Sequence, residues 1–550
     1  MKTYIIAAVI LICSFTLSQS PYTNIQISNQ FSPNEVSISI NPKNINQLVG
    51  GANLESYYYS TNGGTNWTRG TMTNSSWGVW GDPCIIADTN NNFYYFHLSN
   101  TPGQWIDRIV CQKSTNGGMT WSNPGSYTYV NWPRQQDKEW AIVDWSRGSR
   151  GNWIYCTWTQ FDDYGSTLTT DSSNIFFARS TDAGITWTGV TRINKLGGNC
   201  IDEDYTVEGA VPAVGPAGQV YVAWAGPQGV NSFKIFFDKS TDGGNTWLAN
   251  DIIAANNPGG WDLGSGSPSG LGVYGIYRAN GMPITCCDLS NGPYRGYIYI
   301  NYLDSAGNHD RDVKIVKSTD GGNTWSAPIR VNNDPPGKEQ FFTWMTIDMA
   351  TGYLYVVFYD RRNYADNQTD VFMAVSTNGG TTWTNERISA SVFTPVYSQF
   401  FGDYICITAH NGRVRPIWMR RDSGGGLSVW TALIDFPVGI QQTSNEIPES
   451  FQLYQNYPNP FNPSTRIKFD IPLSRGMSEG RGVYVDLKIY NLLGKEVAAI
   501  VNDELAPGTY EYEWDASNLS SGVYFYKLVV SEANLSAISF TDTKKLVLSK

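Results

Sequence analysis

Acidic residues recur just ahead of short apolar runs along this chain, at Glu35, Asp82, Asp137 with Glu139, Glu208 and Asp403. Facing carboxylates of this kind can serve as general acid and base, or as acid and nucleophile, the pairing that cleaves glycosidic bonds. Asp82, Glu139, Glu208 and Asp403 are the candidate catalytic set. Arginines occur in tight groups at Arg361-Arg362 and Arg420-Arg421, and Arg134 lies close to Trp132. Guanidinium pairs grip an anionic group through parallel hydrogen bonds, so Arg134, Arg361, Arg362, Arg420 and Arg421 are candidate ligand-binding residues. The Gly-rich connection 247–283 adds Trp261, Tyr274, Tyr277 and Arg278. Aromatics there suit sugar faces, and the glycine content suits a lid. Asp162-Asp163 and His309-Asp310-Arg311 complete the polar set. The plainer use of all these groups is mutual: Arg and Asp can pair with each other and hold neighbouring structural units together.

Other chemistries are poorly supplied. The chain has three His and no C-x-x-C spacing, which argues against zinc. No Asp-rich loop has calcium-binding spacing, so neither a metal nor a cofactor is expected. A net charge of −10 without a basic run argues against nucleic acid.

The elements that must position these residues are repeats. The pattern S-T-[D/N]-[G/A]-G-x-[T/N]-W begins at Ser60, Ser114, Ser180, Ser240, Ser318 and Ser376. Each copy follows an alternating apolar run and precedes another extended segment. Asp or Asn with Gly tolerates the positive φ of a tight reversal, so each copy predicts a hairpin turn, with the Trp able to cover the hairpin. Around each turn the same order recurs: an apolar strand, an aromatic strand, a strand running into the turn and one leaving it. Four antiparallel strands per repeat make a propeller blade. After the sixth turn, 403–408, 413–419 and 427–433 read as three strands of a further blade that lacks its fourth. Residues 24–28, ahead of the first blade, read as that missing strand, closing the ring without an open edge. The prediction is a seven-bladed β-propeller over 19–436. Its catalytic candidates fall at the lead-ins to the inner strands, which converge on one mouth of the central channel.

The repeated turn resembles the Asp-box (BNR repeat), the signature of sialidase-type and related propellers. The resemblance implies a structural role for the turn itself and a functional face opposite it. In sialidases three Arg hold the substrate carboxylate, the first in an [F/Y]-R-I-P motif, beside a Tyr nucleophile with its Glu and an Asp acid/base. Here the corresponding stretch, 34–40, contains no Arg, and the first Arg of the chain is Arg69. A true sialidase is therefore disfavoured. Residues 358–363 and 401–405 resemble segments of a broad group of secreted bacterial sialidase-like proteins. Two readings stay open: a glycan-binding or adhesion propeller with an extracellular glycan or glycoprotein partner, and a glycoside hydrolase acting on acidic glycans.

Both ends of the chain speak to export. Residues 1–18 have a short basic start, an apolar core and small residues, the form of a signal peptide. No later run is long and apolar enough to span a membrane. Cys84, Cys111, Cys156, Cys286, Cys287 and Cys406 fall in predicted strands and are expected as buried thiols. Cys200, in a loop, could join a disulfide. Residues 437–450 are polar and read as a linker. From 451 to 550, alternating apolar stretches with Gly and Pro turns predict a small Ig-like β-sandwich. Its succession of motifs, from the Tyr457-Pro458-Asn459-Pro460 run to the closing Lys544–Leu548, resembles the C-terminal sorting domain of type IX secretion cargo. That implies contact with the type IX secretion machinery and passage through a Gram-negative outer membrane.

Overall fold

The computed structural model describes residues 20–550 apart from 147, 268–271, 305–309, 437–439, 445, 474–482, 506, 517–518 and 533–537. Residues 1–18, expected as a signal peptide, and His309 lie outside the described residues. The fold is all-β, and among the described residues no helix is long and apolar enough to cross a membrane.

Among those residues, seven antiparallel sheets, six of four strands and one of four with the short strand Gly198–Asn199 added, account for residues 23–435 apart from one small hairpin. The innermost strands are Ser37–Asn41, Cys84–Ala87, Gln135–Val143, Glu208–Val214, Ile284–Cys287, Gln340–Ile347 and Cys406–His410. Each packs on the next, and the last returns to the first. These strands are buried along nearly their whole length, whereas outermost strands such as Thr68–Thr71 are largely exposed. That gradient follows from a ring: an inner strand is covered by blades on both sides. The seventh sheet is completed by Thr23–Ser28, which pairs with Leu427–Asp435. Chain closure therefore joins the two ends of the propeller through backbone hydrogen bonds.

The six repeated turns share one geometry. The leading Ser Oγ accepts from the Gly N–H four residues on, at 2.8–3.0 Å. The Asp or Asn Oδ1 accepts from the N–H four residues beyond it, at 2.9–3.0 Å. The Trp does more than cover its own hairpin. Trp187, Trp247 and Trp325 pack edge-on against Phe96, Phe177 and Phe237 of the preceding blade, with ring centroids 5.7, 5.0 and 5.0 Å apart. A cation from the preceding blade also donates to the carbonyl of the turn's first glycine: Arg179 to Gly243, Lys239 to Gly321, Lys317 to Gly379 and Arg415 to Gly63. The turns are thus fasteners between blades.

The connection 247–283, expected as a lid, instead contains strand Ile252–Asn256 of the fourth blade and a hairpin of Asp262–Ser265 with Arg278–Asn280. All seven cysteines among the described residues are free, and Cys200 is buried without a sulfur partner, so the disulfide considered for it is absent there.

The C-terminal region forms two four-stranded sheets around one core that includes Ile467, Phe469, Leu487, Ile489, Leu528 and Leu546. Its boundary differs from the sequence reading. Ile440–Ser444, taken as linker, pairs with Gly508–Asp515 and belongs to the first of these sheets. Backbone pairing needs no apolar alternation, which is why this polar stretch gave no strand signal.

Candidate functional site

At one mouth of the channel, the chain enters each inner strand through a tight lead-in. In the first three blades an ionisable residue there adopts positive φ: Glu35 (50°), Asp82 (52°) and Lys138 (50°). The fourth and seventh blades have Gly209 and Gly402 at this point, and the sixth has Phe342 (47°). A side chain in this region costs about 1–2 kcal/mol relative to glycine, so three ionisable groups held there mark a place where strain serves position. The ladder register also shifts between Asp137 and Trp140, and between Glu208 and Val211. Such bulges re-aim side chains at a strand end.

Lys138 is the hub. Its Nζ lies 2.6 Å from Asp403 Oδ2, 3.8 Å from Asp82 Oδ2 and 3.9 Å from Glu35 Oε1. Burial lowers the proton affinity of this amine, but Asp403, Asp82 and Glu35 together outweigh that and hold it well above the usual lysine range. Arg278, from the inserted hairpin, also grips Asp403, with Nε 2.9 Å from Oδ1 and Nη2 2.5 Å from the Oδ2 that Lys138 holds, and its Nη1 is 3.5 Å from Asp202. Asp403 is buried, which alone would raise its pKa. Lys138 and Arg278 prevail and hold it well below the ordinary carboxylate range. Asn53 donates to Glu35 and accepts from the Asp82 N–H, tying the first two lead-ins together.

The remaining carboxyls behave oppositely. Burial, then the neighbouring Asp82, pushes Asp137 up to about 7. Glu139 is raised well above its usual value by burial and then Asp82, and Glu208 by burial and then Asp202 and Asp137. Both glutamates are buried, and none of their four carboxyl oxygens has a hydrogen-bond partner among the described residues. Glu139, Lys138, Asp82 and Asp403 line a cavity of about 50 Å³ floored by Trp140, Trp344 and Tyr404. Trp140 and Trp344 lie 4.2 Å apart at their centroids and divide the polar mouth from the apolar channel beyond. A second pocket of about 30 Å³ lies between Arg278, Asp202, Tyr164 and Trp261.

The four carboxylates singled out from the sequence therefore gather at one mouth, but the arginines do not. Arg134 is exposed and pairs with Asp162 at 2.7 Å. Arg361 is buried against Glu339 at 2.9 Å and donates to the Tyr274 carbonyl. Arg362 pairs with Asp360 at 2.7 Å and lies over Phe372. Arg420 reaches Asp422 and Ser391 and covers Trp430. Arg421 sits on the strand Arg413–Arg421 near its loop and takes no part in the central cluster. For Arg134, Arg361, Arg362 and Arg420 the plainer pairing is what the structure contains. Trp261 is buried and donates its Nε1 to the Thr206 carbonyl, so it offers no open face for stacking. The cations that do converge are Lys138 and Arg278. Lys138 sits between two acids already recognised in sequence, and that charged Asp-Lys-Glu run was the available signal.

The rim of the same face carries exposed aromatics. Trp80, Trp105, Trp132, Tyr274 and Tyr277 are each between 41% and 52% exposed. Trp80 meets Trp105 at 5.6 Å and Tyr277 meets Tyr397 at 5.5 Å, while Arg278 lies over the Phe400 ring. Among the described residues no group of three or more His, Cys, Asp or Glu is arranged to hold a metal.

Comparison with solved structures finds a protein of unknown function from Dyadobacter fermentans, 13% identical, covering 76% of this chain and 99% of that one, with a TM-score of 0.42. An ulvan lyase bound to a glucuronate–sulfated rhamnose unit is 12% identical over 76% of this chain and 96% of its own, with a TM-score of 0.42. A Trypanosoma rangeli sialidase in complex with the inhibitor DANA is 11% identical over 88% and 86%, with a TM-score of 0.36. No curated protein matches the chain. Residues 455–540 match the family described as a secretion system C-terminal sorting domain. This β-propeller chain therefore carries a type IX secretion sorting domain, which directs it to the cell surface or outer membrane.

Proposed function

We propose that the propeller is a glycan-binding surface module whose ligand lies across the aromatic rim of the acidic mouth. One observation carries this reading. Large aromatic faces are exposed along that rim, whereas Lys138, Arg278 and Asp403 at the centre are already paired with one another. Partly exposed Trp and Tyr offer the apolar faces on which sugar rings stack while their polar edges stay wet. The central cavities, about 50 and 30 Å³, are far below the roughly 300–1,000 Å³ of pockets that engulf a small ligand. A chain laid over the rim, inserting only small groups, fits that shape.

A hydrolytic reading is favoured by a different observation. Burial raises Glu139 and Glu208 well above their ordinary range while Lys138 and Arg278 hold Asp403 well below it, and carboxyls driven apart in this way are the mark of separate acid and base roles. Against it, Asp403 is saturated by Lys138 and Arg278 and has no free edge with which to attack or to activate water.

The test uses the full chain on a glycan array, with binding and reducing-end release followed together. Binding without release is expected, weakened about three- to tenfold by Trp80→Ala or Tyr277→Ala. Release that disappears in Glu139→Gln would establish the hydrolase instead. Absence of both signals across the array would overturn the glycan reading.

A further inference from the structure

The glutamates at the mouth are unusual because nothing in the fold accounts for them. A buried carboxyl group normally finds hydrogen-bond donors, and leaving it without them is costly. Glu139 and Glu208 follow one another on adjacent inner strands, in the third and fourth blades, and among the described residues neither carboxyl is hydrogen-bonded to another residue. Glu139 borders the central cavity. Carboxyl groups in this cluster also far outnumber its two cations. Asp403 takes the closest contact of Lys138 and all the short contacts of Arg278, leaving Glu139 and Glu208 without a direct ion pair among the described residues.

We infer that the mouth binds a protonated primary amine borne by a glycan, an amino sugar whose nitrogen carries no acetyl group, with the ammonium seated against Glu139 and Glu208 close by. This rests on the glycan-binding reading and names the class of sugar. An ammonium supplies three donors and a positive charge at once, which matches acceptors that lack both. A cavity of about 50 Å³ admits that group, and an acetamide in its place would bring no positive charge to the carboxyls. The rim aromatics would hold the sugar ring from which the amine projects. Entry of a cation favours the ionised carboxyls, so protons leave the site as ligand binds. The charged groups acting on the pair are Asp82, Asp137, Lys138, Asp202 and Arg278, with Asp403 lining the same cavity as Glu139. Of these, Asp137 titrates near 7, so affinity should fall as pH drops below that value.

The experiment is calorimetric titration of the full chain with a glucosamine hexamer and with an N-acetylglucosamine hexamer, at about pH 6. Two buffers of different ionisation heat would report proton release. The glucosamine hexamer is expected to bind at least about tenfold tighter, with release of protons. Glu139→Gln should reduce the preference to about threefold or less and abolish part of that release, with Glu208→Gln acting in the same direction. Melting curves of both variants would identify any loss that reflects unfolding, and the N-acetylated hexamer reports whether the rim survives. Equal binding of the two hexamers, or a preference untouched by Glu139→Gln in a folded protein, would overturn the amine site and leave the glycan reading standing. Failure of either hexamer and of every other glycan to bind would overturn both.

Discussion

At the scale of single residues, the mouth holds carboxyls of two opposed kinds, and they give the fold a definite response to pH. Asp137 has an ordinary pKa near 3.9 when unfolded and is raised to about 7 in the fold by burial and by Asp82. Between about pH 4 and pH 7 the folded chain therefore keeps a proton that the unfolded chain has released, and stability falls as pH rises through that window. Glu139 and Glu208 act in the same direction, as does Asp204, raised to about 6 chiefly by burial. Asp403 has the reverse sign. Its folded pKa is depressed, so its contribution is fully present above the ordinary carboxylate range and is lost only in strong acid. The melting temperature is expected to be higher at about pH 5 than at about pH 8, and Asp137→Asn should flatten part of that fall. A wild-type profile that rises across the same interval would contradict the protonated state of these groups.

At the scale of elements, the repeated turns explain why blades stay in register without disulfides. Each turn is closed by its own Ser and Asp or Asn; the turns at Ser240 and Ser318 are then clamped by the blade before them through both an aromatic contact and a donated cation, and those at Ser60, Ser180 and Ser376 through one of the two. Removing one Trp should therefore weaken a seam between blades rather than a single hairpin. Trp247→Ala is expected to cost about 2–4 kcal/mol, read as a lower urea midpoint, because it strips the edge-on contact with Phe177 at 5.0 Å. A loss below about 0.5 kcal/mol would mean that the contact carries no load between blades. These turns were legible in sequence because the information is local: eight residues specify the whole hydrogen-bond pattern. Ring closure by Thr23–Ser28 was legible for a related reason, since a blade short of one strand needs an unassigned strand elsewhere. The centre of the site was not. In a regular strand Asp137 and Glu139 share one face and Lys138 takes the other. The positive φ at Lys138 and the register shift after Asp137 break that alternation and turn Lys138 towards Asp403, 265 residues away. Arg278 arrives on a hairpin hidden inside a Gly-rich connection. Strand starts slipped for the same reason: 403–408 was the sequence expectation, but the ladder begins at Cys406 because the lead-in through Gly402 holds Asp403 off it.

At the scale of the whole molecule, the propeller and the sorting domain are each closed by a strand that sequence pattern alone undervalues. In the propeller it is the first strand; in the C-terminal domain it is Ile440–Ser444, which lies before the 455–540 segment matched by the sorting family. The sheet order in that domain runs from Ile440–Ser444 through Gly508–Asp515 and Ser464–Ile471 to Gln452–Leu453, so a cut at residue 455 removes both of its edge strands. The strands that remain present unpaired backbone at two edges, where a domain loses stability and invites pairing with other chains. A reporter behind a signal peptide, fused to residues 437–550 and expressed in a host with a type IX secretion system, is expected at the cell surface or in the medium. The same reporter fused to residues 455–550 should reach the outside in clearly lower yield and accumulate in the periplasm as degraded or aggregated protein. Equal export of the two fusions would show that the machinery reads the matched segment without needing the complete sheet, and that Ile440–Ser444 belongs functionally to the spacer after all.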